Sequence, residues 1–305
     1  MTNEDMQGHG PEDVTPETDA SPSTGMSRRR FLRTSALAAG TAAIAGPAFK
    51  TVAADLVESD DGQVVGYTDT PMQPWAPEYH VHDPNRPWPP VVEPGELCCP
   101  GEISQGPPSD AIVLFDGEDT SAFEPHEWEV EDGVLVARGD DIVTRESFGD
   151  CQLHIEWMAP DPPRGDRFDR GNSGVFFMNN YELQIFDSYS DKVFADGIAG
   201  AIYGQTPPLV HPMRPPGEWN VFDCVFTAPV FNGNDVEQPA TLTMYWNGLL
   251  AHYNTIIHGP VAHRSINEYS PHPPELPLMI QEHDNPVRFR NIWIRRLDIK
   301  DRAAV

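Results

Sequence analysis

The chain has 305 residues, 39% of them hydrophobic, which is enough for one large domain or two small ones with a substantial core. Its formal net charge of −27 comes from 47 acidic and 20 basic residues, and it argues against nucleic acid or an anionic membrane as a partner, because nothing in the mature region neutralises phosphates. Such an excess of acidic over basic residues is typical of proteins in high salt, where counterions screen the repulsion between carboxylates. We therefore expect a halophilic protein.

Residues 1–54 have the layout of an acidic tail followed by an export signal. Arg28, Arg29 and Arg30 precede a small apolar run from Ala36 to Ala48, which is the twin-arginine pattern. This run is too short and too rich in Ala and Gly to cross the ~30 Å core of a bilayer. We expect export by the twin-arginine route to the cell surface or the exterior, with signal cleavage and oligomeric state left open.

Residues 55–110 are rich in proline and are predicted to form an extended strap or linker. Proline removes backbone donors and favours polyproline-like conformations. Within this segment His80-Val81-His82-Asp83 offers metal-binding side chains. On an extended chain these side chains converge only if the chain bends, so we expect them to pack on the surface.

Residues 111–300 are predicted to form one all-β domain. No stretch has a sustained helical period, and short alternating runs recur between Gly, Pro and Asn turns. The clearest run places Cys151, Leu153, Ile155 and Trp157 on one face. The predicted strands are 112–115, 128–130, 133–137, 141–144, 151–157, 175–178, 181–187, 219–226, 242–246, 249–254, 278–281 and 287–297. Many short strands of this kind indicate a β-sandwich.

The four cysteines do not indicate a zinc site or a disulfide framework. Cys98 and Cys99 are adjacent and cannot form an unstrained bridge with each other. Cys151 and Cys224 lie in apolar strand patterns, so we expect buried thiols.

The stretch from Gly171 to Asp187 is the strongest candidate for a site. A polar turn that ends at Gly174 precedes an apolar strand, and a second strand follows from Tyr181. The side chains alternate along this second strand, so Glu182 and Gln184 stand side by side on the face opposite the apolar residues.

Several motifs in chain order resemble the 3-keto-disaccharide hydrolase family over nearly all of residues 111–299. They include Leu114-Phe115-Asp116-Gly117, Gly171-Asn172-Ser173-Gly174-Val175-Phe176, Tyr181-Glu182-Leu183-Gln184-Ile185, Gly200-Ala201-Ile202-Tyr203-Gly204-Gln205 and Asn285-Pro286-Val287-Arg288-Phe289-Arg290-Asn291-Ile292-Trp293. The resemblance implies a concanavalin-like (laminin-G-like) jelly-roll β-sandwich and activity on oxidised glycosides. One motif departs: Gln281-Glu282-His283-Asp284-Asn285 stands where family members read Gln-Asp-His-Gly-Asn, and losing the glycine is expected to alter the turn.

Activity on a glycoside oxidised at C3 requires a base for the C2 proton, which the neighbouring ketone acidifies. Glu182 is the first choice of base, and His283 is the candidate acid or second base. Candidates for substrate binding are Gln184, Asn172, Tyr203, Gln281, Arg288 and Arg290, although Arg290 could instead pair with a carboxylate such as Asp187. No direct role is expected for His154 or Glu156.

No organic cofactor is expected. Glu182, Gln184, Asp187 and His283 offer oxygen and nitrogen ligands that calcium, magnesium or zinc accept, with Asp187 the metal or supporting candidate. The expected partner is an oligosaccharide or glycoside substrate. A non-catalytic, lectin-like sugar-binding module is the alternative, because fold does not settle function. A retaining glycosidase is disfavoured, because it needs two nearby carboxylates and Glu182 and Asp187 fall on opposite faces of a strand.

Overall fold

The computed structural model describes residues 56–96, 102–165 and 167–299. The predicted export signal, Cys98 and Cys99 lie outside these residues. Among the described residues, no helix is both long enough and apolar enough to span a membrane.

Almost all regular structure is strand. The amino-terminal strands are β1 (Val57–Glu58), β2 (Val65–Gly66), β3 (Met72–Gln73) and β4 (Ala76–His80). The later strands are β5 (Ile112–Phe115), β6 (Glu129–Glu131), β7 (Val134–Val136), β8 (Ile142–Phe148), β9 (Cys151–Met158), β10 (Ser173–Phe177), β11 (Tyr181–Ile185), β12 (Asn220–Thr227), β13 (Val230–Asn232), β14 (Asp235–Gln238), β15 (Thr241–Trp246), β16 (Leu249–Ile256), β17 (Leu276–Ile280) and β18 (Arg288–Arg296). Within the described ranges, two 3-10 helices cover Arg167–Asp169 and Ala195–Gly197.

Two antiparallel sheets form the body of the protein. The small sheet has the order β11-β10-β17-β8, and the large sheet has the order β16-β15-β12-β9-β18-β7-β6, with β5 also paired to β18. Their facing sides enclose one apolar core, in which Phe177 of the small sheet stacks on Phe226 of the large sheet with ring centres 4.7 Å apart. The predicted all-β sandwich is confirmed.

Alternation along the strands decides what the core receives. Leu153, Ile155 and Trp157 of β9 are fully buried in it, as their spacing predicts. Cys151 and Cys224 are buried free thiols, as expected. The hairpin of β13 and β14 was not predicted, although its Gly233-Asn234 turn is a common hairpin signal.

The small sheet is extended by the loop that follows β11. Ile202 bridges Leu183, and the Tyr203 amide donates to the Glu182 carbonyl at 3.2 Å. Tyr203 therefore lies beside Glu182 as a neighbouring strand residue would, and the outer surface of the small sheet continues onto this loop.

The strap, residues 56–96, packs against this loop. Gln73 donates to Asp196 and to the Gly204 carbonyl, both at 3.0 Å, and Arg86 donates to the Gln205 carbonyl at 2.8 Å. The expected surface packing is wrong for His82, which is fully buried. Its backbone amide donates to the Asp196 carboxylate at 3.0 Å, a partner 114 residues away that no local pattern reveals.

Candidate functional site

Glu182 lies on the outer face of the small sheet, opposite the core. Its neighbours Tyr181 and Leu183 point into the core, so the alternation predicted from the sequence is present. The Glu182 side chain is nevertheless only 7% exposed, and Tyr203 of the loop that follows β11 lies beside it. Among the described residues no ion pair or side-chain hydrogen bond engages the carboxylate.

Gly174 makes room for this carboxylate. It pairs with Gln184 across the β10–β11 ladder, and an added Cβ would lie 2.6 Å from Glu182 Oε1. On its other side the Gln281 amide donates to the Gly174 carbonyl at 2.9 Å. Alternation along each strand places the Gln184 and Gln281 side chains on either side of the glycine. The carboxylate therefore leans over a gap flanked by two amides.

The surroundings of Glu182 favour its protonated form. Burial removes water from the carboxylate, and the negative charge of Asp141 adds to this, so the pKa of Glu182 rises to about 8. The buried Gln184 Oε1 also has no hydrogen-bond partner among the described residues. A carboxyl group that titrates near neutrality beside an unsatisfied amide is typical of a functional site.

Tyr203 and His263 form the second part of the site. The Tyr203 hydroxyl lies 2.8 Å from His263 Nδ1. Burial raises the pKa of Tyr203 well above its usual value, with Glu182 and Asp196 adding negative charge nearby, so the phenol stays neutral. His263 is exposed at the rim, but its ring faces the site. Loss of water on that side, together with His82 and Arg264, lowers its pKa.

Aromatic and basic groups of the strap and the 258–267 loop border the Tyr203–His263 pair. The Tyr67 ring meets His263 edge-on at 5.9 Å, and the Arg264 guanidinium lies 4.2 Å from the Tyr67 ring centre. Arg264 also pairs with Asp69 at 3.0 Å. Its Nε is buried without a partner among the described residues. These groups offer a donor and an aromatic face at the edge of the site.

His283 lies on the far side of the site and is exposed. It is close enough for its charge to act on His263. Asp284, at the position of the family glycine, has a left-handed backbone with φ 57°, a conformation that glycine adopts more readily than other residues. The neighbouring Glu282 amide donates to Asp141 at 2.9 Å, and burial raises the pKa of the Glu282 carboxyl.

Asn172 and Asp187 serve the loops that hold the site. The Asn172 side-chain amide donates to the Phe168 carbonyl at 2.8 Å. Asp187 is 1% exposed and accepts from Arg170 Nε at 3.1 Å and from Nη2 at 3.0 Å. Among the described residues no group of three or more His, Cys, Asp and Glu side chains is arranged to hold a metal ion.

Arg288 and Arg290 lie on the large sheet, away from Glu182. Arg290 Nε donates to Glu156 at 2.7 Å, and its guanidinium stacks 4.2 Å over Trp219. Arg288 Nη2 lies 3.5 Å from the half-buried Glu131. The structure therefore brings Glu182, Gln184, Gln281 and Tyr203 together, and it places both arginines elsewhere.

The Arg290 cluster contains a Ser–His–Asp alignment. His154 Nδ1 lies 2.6 Å from Asp223, and Ser104 Oγ lies 3.4 Å from His154 Nε2. Glu156 accepts from Ser104 Oγ at 3.1 Å, so a negative charge lies where a nucleophile would need an oxyanion site. Burial opposes ionisation of Glu156, yet hydrogen bonds from His154, Asn291, Ser104 and Arg290 lower its pKa to about 2. The cluster thus anchors the 102–105 segment to the sheet.

The sequence did not indicate His263, Arg264, Tyr67 or His82 as site residues. All four come from the strap or from an irregular loop, where no periodicity assigns a face. The available signal was the motif around Gly174, because a glycine inside a strand marks a close approach by another group.

Neither of two surface cavities includes Glu182. A polar cleft of about 270 Å³ is lined by Glu58, Gln63, Arg167 and Lys192 among others. A smaller cavity beside Tyr203 is lined by Trp75, His258 and Asn267 among others. Chemistry, rather than cavity size, identifies the site around Glu182.

Comparison with known proteins assigns the domain. Residues 110–295 match the model of the 3-keto-alpha-glucoside-1,2-lyase-like domain. The crystal structure of a candidate glycosyl hydrolase from Parabacteroides distasonis ATCC 8503 is 40% identical, covers 70% of this chain and 93% of its own, and has a TM-score of 0.62. No curated protein sequence matches the chain significantly.

Two further crystal structures of candidate glycosyl hydrolases from the same bacterium are each 22% identical to this chain. They cover 62% and 61% of this chain and 94% and 99% of their own, with TM-scores of 0.46 and 0.47. Likeness at that level adds no argument. The domain match and the 40% identical structure give the protein a carbohydrate-active role, as an enzyme of the glycoside hydrolase type with a sugar substrate. The family inferred from the motifs is confirmed: the chain belongs to the 3-keto-alpha-glucoside-1,2-lyase-like family.

Proposed function

We propose that the protein cleaves 3-keto-glycosides by removing the C2 proton with Glu182 and eliminating the C1 substituent, after which water adds to C1. The observation that carries this proposal is the buried Glu182 carboxylate, which lies over Gly174 between two amides and has a pKa of about 8. A carboxylate of raised pKa is a stronger base than an exposed one.

The proton transfers balance within the site. Ionised Glu182 takes the C2 proton and leaves an enolate across C2, C3 and the ketone oxygen. The enolate expels the C1 oxygen, which takes a proton either from Glu182 or from His283 at the rim. Water then adds to C1 by the reverse sequence, in which its proton passes to C2.

The neutral groups of the site bind the sugar. The side-chain amides of Gln184 and Gln281 can donate to the developing enolate oxygen, which is the charge that must be stabilised. The unpartnered Gln184 Oε1 accepts from a sugar hydroxyl. Tyr203, whose backbone lies beside Glu182, provides a hydroxyl that contacts His263. This arrangement favours an enzyme over a non-catalytic binder, because a lectin-like module has no use for a buried carboxyl group of raised pKa.

The test compares 3-keto-glucosides with their unoxidised parents as substrates, in molar salt. Wild type is expected to turn over only the keto compounds. Glu182→Gln is expected to lose at least about 1,000-fold in kcat/KM, since the proton transfer itself is removed. Glu237→Gln, which changes an exposed carboxylate on β14, is the matched control.

Two outcomes separate the parts of the proposal. If wild type turns over neither class of compound, the enzymatic function is wrong. If Glu182→Gln retains full activity, Glu182 is not the base. His283→Gln distinguishes the two proton sources, because it slows release of poor leaving groups only if His283 protonates the C1 oxygen.

A further inference from the structure

His82 and Asp196 form a buried pair directly behind the Tyr203–His263 pair. Both residues are fully buried. His82 Nδ1 lies 3.4 Å from Asp196 Oδ1, while Asp196 Oδ2 accepts from the His82 backbone amide and from Gln73. Burial alone would raise the pKa of Asp196, but His82 and Arg86 beside it hold that pKa below its usual value. Asp196 is therefore ionised, and its negative charge is stabilised by Arg86 and by the hydrogen bonds that the carboxylate accepts.

An ionised Asp196 determines the tautomer of His82. A carboxylate only accepts hydrogen bonds, so the proton of the neutral imidazole lies on Nδ1 and the lone pair lies on Nε2. His82 Nε2 is buried and has no hydrogen-bond partner among the described residues. A buried acceptor left unsatisfied is costly, and it points to a partner that this site supplies.

The ring of His263 carries a nitrogen donor that can supply this partner. The ring centres of His82 and His263 are 5.3 Å apart, and His82 lies 5.1 Å from the Tyr203 ring. Phe194 packs on the other side of His82 at 3.9 Å and offers no donor. An adjustment of the exposed His263 side chain, or one bridging water, connects His263 Nε2 to His82 Nε2.

We propose that Asp196 and His82 are positioning residues that fix the proton of His263 on Nε2. His263 Nδ1 is then the acceptor for the Tyr203 hydroxyl. The series runs from the Tyr203 hydroxyl to His263 Nδ1, from His263 Nε2–H to His82 Nε2, and from His82 Nδ1–H to Asp196.

This series has a consequence for substrate recognition. Because its own proton is committed to His263, Tyr203 presents only oxygen lone pairs to the cleft. It therefore accepts a hydrogen bond from a sugar hydroxyl and does not bind a ketone or ether oxygen at that position. This consequence depends on the proposed function, whereas the proton positions do not.

The test reads the ring nitrogens directly by 15N NMR of the full chain. In wild type the His263 proton is expected on Nε2 and the His82 proton on Nδ1. Asp196→Asn places an amide donor against His82 Nδ1, which is expected to move the His82 proton to Nε2. The His263 proton is then expected to move from Nε2 to Nδ1. His82→Phe keeps an aromatic ring beside Phe194, and Asp196 retains two of its donors.

Removing His82 should also change the titration of His263. Burial, His82, Arg264 and His283 all lower its pKa, so His82→Phe and His82→Gln are expected to raise it. Both variants should lose about tenfold in kcat/KM for a 3-keto-glucoside, the worth of one hydrogen bond of about 1.4 kcal/mol. His80→Phe is the matched control, because its ring bonds Thr70 and Asp83 on the outside of the strap.

A His263 proton on Nδ1 in wild type would overturn the proposal. So would a His263 tautomer and pKa that stay unchanged in Asp196→Asn and His82→Gln. If both NMR readouts change and wild type turns over no 3-keto-glycoside, the series of hydrogen bonds stands and the proposed function fails.

Discussion

At the scale of single residues, Glu182 carries a cost to folding. Its pKa is about 8 in the folded chain and near 4.5 without burial. Between these values the unfolded chain ionises while the folded chain resists, so the free energy of unfolding falls as pH rises from 4.5 towards 8. Below 4.5 both states are protonated and the cost disappears.

Glu182→Gln should therefore stabilise the protein at high pH. The measured quantity is the difference in free energy of unfolding between the variant and wild type, from denaturant unfolding in molar KCl. We expect this difference to be about 2–4 kcal/mol larger at pH 8 than at pH 4. Glu237→Gln should show no such pH-dependent difference. An equal effect of Glu182→Gln at both pH values would mean that the carboxylate is not held in a strongly perturbed environment.

At the scale of secondary-structure elements, β10 and β11 are built to hold the Glu182 carboxylate. The backbone at Gly174 is not left-handed, so alanine is allowed there, but its Cβ would lie 2.6 Å from Glu182 Oε1 and 3.0 Å from Phe176. The Glu182 side chain must move aside, and it can do so at little cost to the fold.

Gly174→Ala should thus separate activity from stability. We expect kcat/KM to fall about 100-fold from displacement of the base, while the free energy of unfolding changes by about 1 kcal/mol. Gly106→Ala is the control, because nothing lies within 4 Å of its added Cβ. Full activity in Gly174→Ala would show that the position of the Glu182 carboxylate is unimportant.

On the outer face of the large sheet, a substitution is expected to lower stability and leave activity unchanged. Arg290→Gln leaves the buried Glu156 without its charged partner, so we expect a loss of about 2–3 kcal/mol in stability. Since Arg290 lies on the other sheet from Glu182, kcat/KM per folded molecule should not change. A raised KM in assays of soluble, folded variant would instead support the substrate-binding role that the sequence suggested for Arg290.

The sequence pattern predicted those features of the fold that depend on residues close together along the chain. Period-two alternation placed Glu182 and Gln184 on one face of β11, and it gave the core-facing side of β9. Alternation does not say which sheet a strand joins, so it could not separate Arg290 from the Glu182 site. His82 was missed because Asp196, its partner, lies 114 residues along the chain.

At the scale of the whole molecule, the formal charge of −27 should make stability depend on salt. Repulsion among exposed carboxylates opposes folding. At 0.1 M, salt screens this repulsion between charges more than about 10 Å apart, and higher salt shortens that distance. We expect the melting temperature to rise steeply between 0.1 M and 2 M KCl. A melting temperature that falls or stays constant over this range would contradict the expectation of a halophilic protein.

The central claim is that Glu182 removes the C2 proton, and the hydrogen at C2 of the product tests it most directly. The measurement is NMR of the 3-keto sugar released in D2O at early times, before spontaneous exchange. We predict solvent deuterium at C2 with wild type and no product above background with Glu182→Gln. A released sugar that keeps its original C2 hydrogen, formed without a primary isotope effect when C2 of the substrate carries deuterium, would show direct displacement at C1 and contradict the account.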